Sequence, residues 1–172
     1  MFLFESTRLQ FRRFTATDLP QLHSILSDPI TMQFWPASFT FVQSQHWYDR
    51  NQKRYKDLNF GRWAVILKET GELIGDAGIA FSPIDGQEVY DLGYIIHHPY
   101  WGKGYGFEAA KACKDYAFEV LKLETIYANM AFDHKGSQAV AEKIGMQKIK
   151  EFHNPLNRNF LTFVYILEKQ WF

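Results

Sequence analysis

The residues best suited to hold an anion lie between positions 94 and 110, in the run YIIHHPYWGKGYGFEAA. Glycines at 102, 104 and 106 follow a strand-like apolar segment and lead at once into a helix-forming one. Glycines let the backbone reach positive φ and come close to a ligand, so that successive N–H groups can converge on one concavity. A helix that starts there adds its own free N–H groups and the positive end of its dipole. The chemistry this predicts is phosphate or pyrophosphate binding, with Lys103 as a cation at the mouth. Two well-known glycine loops do not fit. The dinucleotide fingerprint needs glycine where Phe107 stands, and a P-loop needs Ser or Thr after its lysine, where Gly104 stands.

The elements that must position this loop can be read from the periodicity. Leu9, Phe11 and Arg13 alternate with Arg8, Gln10 and Arg12, which predicts a strand. Thr17 is expected to cap a helix over DLPQLHSILSD, and SQHWYDRNQKRYKDL reads as a second helix. Three strands follow in RWAVILK, ELIGDAGIAF and VYDLGYII, separated by the turn-forming ETG and SPIDGQE. After the glycines comes FEAAKACKDYAFEVLK, rich in helix formers. Strand TIYANMAF, helix GSQAVAEKIG and strands around MQKIKEFH and FLTFVYILE complete the chain. Antiparallel hairpins followed by a βαβ unit make this a mixed α/β fold.

Length and composition set the frame. The chain has 172 residues, 47% of them apolar, which suits one domain spanning 1–172 with a sizeable core. Net charge is zero, so no overall field draws it to nucleic acid or an anionic membrane. No apolar stretch approaches the roughly 20 residues of a membrane span. The single cysteine, Cys113, excludes an intrachain disulfide and fits a reducing, cytoplasmic setting. Its apolar helical neighbours Ala110 and Ala117 predict packing rather than a nucleophilic role.

WGKGYG resembles the acyl-coenzyme A-binding motif (Q/R)-x-x-G-x-(G/A) of the GNAT acetyltransferases, with Trp101 in the Gln or Arg place and Gly104 and Gly106 as the small residues. WGKGY-x-x-EA is similar to the RimJ/RimL-like branch. TRLQFRRF, ELIGDAGI and HKGSQAVAEKIGM resemble three further segments of that branch, in order along nearly the whole chain.

The resemblance implies a central mixed sheet of six to seven strands flanked by about four helices, and acetyl-CoA as acyl donor with no metal. It implies that Tyr94, Ile95 and Ile96 line the pantetheine arm on a strand splayed from its neighbour. Trp101, Gly102, Lys103, Gly104, Tyr105, Gly106 and Phe107 would surround the pyrophosphate. His134 (in place of the usual Asn), Lys135 and Ser137 would face the donor from the other side.

An amine attacks only when neutral, so a base must take its proton and an acid must protonate the leaving thiolate. The resemblance points to Asp91 as base, ahead of Asp76 and Glu88, and to Ser137 beside the sulfur, unless Ser137 merely caps its helix. The acceptor, a small-molecule amine or a protein N-terminus, is expected against an aromatic wall with Phe34 and Trp35. Trp47 is expected in the core. A coenzyme A-binding module without catalysis is the second reading. The apolar segments 127–132 and 160–172 leave homodimer pairing and internal pairing both open.

Overall fold

The computed structural model describes residues 1–170, and two residues of the apolar C-terminal stretch, Trp171 and Phe172, lie outside the described residues. The strands are β1 (Phe4–Glu5), β2 (Leu9–Arg12), β3 (Arg62–Leu67), β4 (Leu73–Ile84), β5 (Gln87–Ile96), β6 (Thr125–Ala131), β7 (Gln147–Asn154) and β8 (Phe160–Glu168). The helices are α1 (Leu19–Leu26), α2 (Phe41–Leu58), α3 (Tyr105–Glu119) and α4 (Lys135–Lys143). One eight-stranded sheet runs in the order β1-β2-β3-β4-β5-β6-β8-β7. The strand beyond the expected six to seven is β1, whose two residues are too few to show an alternating pattern.

Local chemistry explains where elements begin. Thr17 is not the cap of α1. Thr15 precedes a 3-10 turn over Ala16–Asp18, and Asp18 stands at the N-cap of α1. The Asp18 carboxylate is held there by Arg12, at 2.6 and 2.8 Å, and by the Thr15 N–H at 2.7 Å. Helix α2 starts at Phe41, three residues before Ser44, because Thr40 and Gln43 form a reciprocal capping box. The β4–β5 turn is tighter than SPIDGQE suggests. Only Asp85 and Gly86 remain outside the strands, both at positive φ, as a two-residue hairpin requires.

The sheet separates two cores. Leu92 and Ile96 of β5 pack with Ala109, Cys113 and Ala117 of α3 on one face. Ile95 packs with Leu22 and Ile25 of α1 and Trp47 of α2 on the other. Successive residues of a strand point to opposite faces, so Asp91 and Gly93 share the side of Ile95, and Tyr94 that of Leu92. Cys113 is fully buried, and desolvation pushes its thiol far above the usual range, in keeping with a packing role. Strands β6 and β8 pair with each other inside the sheet, from Thr125–Ala131 to Thr162–Glu168.

The position that matters most for function is the parallel contact of β5 with β6. It registers at one pair, Asp91 with Tyr127, after which the strands part. The strand-to-strand bonding that would continue through Leu92–Ile96 is absent, and a wedge opens between the two halves of the sheet.

Candidate active site

Two cavities meet at this wedge. The first, about 430 Å³, is lined by Tyr94, Ile95 and Ile96 of β5, by Trp101, Gly102 and the run from Gly104 to Phe107, and by His134 and Ser137. The second, about 280 Å³, runs between Asp91–Tyr94 and Ala128–Ala131 and is bounded by Arg62. Phe34, Trp35, Tyr94, His134, Ser137 and Val140 line both, so these side chains form the partition between them.

The glycine loop has the predicted geometry. Gly102 and Gly104 sit at φ 73° and 82°, a region that side chains strain to reach, and Gly104 is the N-cap of α3. Gly106 is needed for contact, since a Cβ there would come within 3.2 Å of the Tyr94 ring. Among the described residues, none accepts a hydrogen bond from the backbone N–H groups of Gly102 through Phe107. A row of free donors at a helix N-terminus fits a pyrophosphate group.

The loop is braced from a distance. Arg8 donates from Nη1 to the Lys103 carbonyl at 2.9 Å and from Nε to Glu108 at 2.7 Å, and lies 4.4 Å over the Tyr105 ring. Glu108 also accepts from Ser6 and from the Arg8 N–H. The Trp101 indole donates to the Ile96 carbonyl at 2.7 Å and ties the loop to the end of β5. Lys103 does not line the cavity. Its ammonium lies 5.5 Å from the Tyr100 ring centroid. Lys135 is also outside, donating to the Phe132 carbonyl at 3.0 Å.

At the partition, Ser137 is the third residue of α4, and His134 holds the N-cap position, so the capping role for Ser137 does not apply. The Tyr94 hydroxyl donates to Ser137 Oγ at 3.4 Å, which leaves the serine's own proton free for another acceptor. Burial pushes the Tyr94 phenol upward, so it stays protonated. Tyr94 thus places a protonated phenol beside Ser137 at the partition. Strand alternation carries the signal, since it puts Tyr94 on the α4 side of β5. His134 stacks on Phe34, with centroids 3.8 Å apart and planes 8° from parallel. Burial holds its imidazole down to about 4, so the ring is neutral near pH 7.

Asp91 lines the second cavity. Desolvation raises its carboxyl to about 6, against the pull of Arg62, Asn129 and Arg54. The two weaker candidates are placed elsewhere. Asp76 is buried and engaged by Arg62 at 2.6 Å and by the Trp47 indole at 2.7 Å. Glu88 is exposed near the β4–β5 turn. Trp47 is buried in the core as expected, Phe34 and Trp35 face the cavities, and Phe41 points to solvent. Arg62 is a site residue the sequence reading missed. Its signal is a charge opening the otherwise apolar run RWAVIL.

Comparison with known proteins agrees with this geometry. Residues 8–147 match the family model described as the acetyltransferase (GNAT) domain. The chain is 33% identical over 153 residues to YkkB of Bacillus subtilis, covering 87% of this chain and 89% of that one. It is 30% identical over 169 residues to YnaD of the same species, named an N-acetyltransferase, covering 95% and 96%. Among solved structures, a GNAT-family acetyltransferase from Bacillus anthracis superposes with a TM-score of 0.81 at 28% identity, covering 98% of both chains. RimL, a ribosomal L7/L12 alpha-N-protein acetyltransferase solved with coenzyme A, shares the fold with a TM-score of 0.80 at 15% identity, again over 98% of both. The glycine loop, the wedge in the sheet and these likenesses agree, and the chain belongs to the GNAT acetyltransferase family.

Proposed function

We propose that this acetyltransferase moves an acetyl group from acetyl-CoA to a primary amine, of a small molecule or a protein N-terminus, by direct attack with both substrates bound. The observation that carries the reading is the meeting of the two cavities at Tyr94 and Ser137, with Asp91 on the far side. The free N–H groups from Gly102 to Phe107 would hold the pyrophosphate, and the β5 edge at Tyr94–Ile96 the pantetheine arm. Acetyl-CoA, when bound, supplies the acyl group as an activated thioester.

The chain's own residues then manage protons and position. Asp91 takes a proton from the incoming ammonium, directly or through a water, and its raised basicity suits it to work near neutral pH. Ser137, held by Tyr94, offers a proton at the donor side of the partition. Phe34, Trp35 and the neutral His134 keep the junction apolar. Holding both reactants in one wedge supplies much of the remaining rate enhancement. No acyl-enzyme is needed, in line with the buried Cys113.

Thermal shift with acetyl-CoA, CoA, NAD and ATP, on wild type and Gly104→Glu, tests donor binding. Stabilisation by the two CoA species alone, lost in the variant, is the expected result, followed by thiol release with an amine panel. Stabilisation by NAD or ATP instead would remove the reading, and CoA binding without thiol release from any amine would make the chain a binding module.

A further inference from the structure

Arg62 is a charged side chain only 5% exposed, in the first position of a fully buried strand. One of its three nitrogens, Nη2, is paired with Asp76. Nε is buried without a partner, and no described residue accepts from Nη1. A buried guanidinium with donors left over is costly unless something else satisfies them. Its setting is built rather than accidental. A Cβ on Gly93 would come within 2.0 Å of Nη1, so β5 carries glycine where the guanidinium crosses it. Gly93 and Arg62 both line the smaller cavity, and Asp91 lies two residues along the same face.

Charge points the same way. Arg54 adds a second guanidinium near Asp91 and Arg62, and their mutual repulsion, after burial, lowers its basicity. Asp76 offsets one of these cations. Asp91, which must be free to exchange a proton, offsets the other only in part. The cavity therefore presents a proton acceptor, Asp91, beside one unspent cationic donor, Nη1 of Arg62. At about 280 Å³ it is at the small end for a ligand site. Trp35, Met130 and Leu156 provide apolar wall.

We infer that Arg62 is an anion subsite of the acceptor pocket, and that the acceptor is a small zwitterion: an α-amino acid with an apolar side chain. Its carboxylate lies against Nη1 of Arg62, beside Gly93, and its amine against Asp91. This rests on the acetyl-transfer reading and narrows it, because a peptide N-terminus carries a neutral amide where the carboxylate would sit.

The test compares L-leucine, L-methionine, L-phenylalanine and L-tryptophan with their carboxamides as acceptors, by thiol release from acetyl-CoA. The amides carry the less basic amine and would react faster if the subsite did not exist. The expected result is that at least one acid exceeds its amide in kcat/KM by about tenfold or more, as a hydrogen-bonded charge pair supplies. The double variant Arg62→Met, Asp76→Asn, which removes both buried charges together, should abolish that preference. Amides turning over as well as acids would overturn the subsite and leave acetyl transfer standing. Calorimetric titration of the same pairs into the CoA-saturated protein reads the preference without chemistry. Acid-selective binding without thiol release would remove acetyl transfer and keep the subsite, whereas binding of neither compound would overturn the subsite.

Discussion

A carboxylate that must take a proton from an ammonium near neutral pH cannot be an ordinary surface aspartate, whose basicity is too low. Asp91 meets the requirement through burial in the wedge, and that burial costs stability. Its folded pKa, raised to about 6, means the fold prefers the protonated form. The stabilising preference is fully present below the unfolded value of about 3.9 and is lost as pH rises through 6. Asp91→Asn should therefore do two opposite things. It should abolish the acidic limb near pH 6 in the kcat profile and lower kcat roughly 10² to 10⁴-fold. It should also raise thermal stability at pH 8, by a value on the order of 3 kcal/mol, and leave it unchanged at pH 3. Kinetics across pH with calorimetry at both pH values would check this. An aspartate that is only structural would show a stability change without the loss of the limb.

Among the elements, the glycine loop depends on parts of the chain far from it in sequence. Arg8, from the segment before β2, reaches the Lys103 carbonyl and Glu108, and so sets the angle at which α3 begins. Arg8 is 43% exposed at its side chain, so its ion pair adds little to global stability. Arg8→Ala should raise KM for acetyl-CoA several-fold with kcat nearly unchanged and a fall in Tm of only a degree or two, measured by steady-state kinetics and calorimetry. This brace also marks the limit of sequence reading. Strands β2 to β8, the four helices and the loop at 102–106 were legible because periodicity and turn residues are local. Arg8 with Glu108, Tyr94 with Ser137 and Arg62 over Gly93 were not, because each pair meets only after the sheet has formed. The early start of α2 lay between the two, since its Thr40–Gln43 box is local but subtle.

At the scale of the whole molecule, the segment at 33–35 spans the cleft and is anchored from two remote places. The Phe34 ring stacks on His134, and the Phe34 carbonyl accepts from Asn157 Nδ2 at 2.9 Å. Arg158 reaches the Gln33 carbonyl at 3.4 Å. His134 is held neutral, with its pKa down at about 4, so protonation favours the open or unfolded chain. Its stabilising contribution is fully present above the unfolded value of about 6.5 and is lost as pH falls through 4. Melting curves should show a decline in Tm across that window, reduced in His134→Asn. An equal decline in the variant would assign the acid sensitivity to other groups.

The single registered pair between β5 and β6 has a mechanical consequence. A continuous sheet resists shear because each strand is fastened to its neighbours along its length. Here the five strands before the wedge and the three after it are two plates joined at one rivet, Asp91 with Tyr127. Helix α3 is the strap that carries load from one plate to the other. Whatever fills the gap acts as a keystone: it completes the arch and stiffens both plates at once, including strands it never touches.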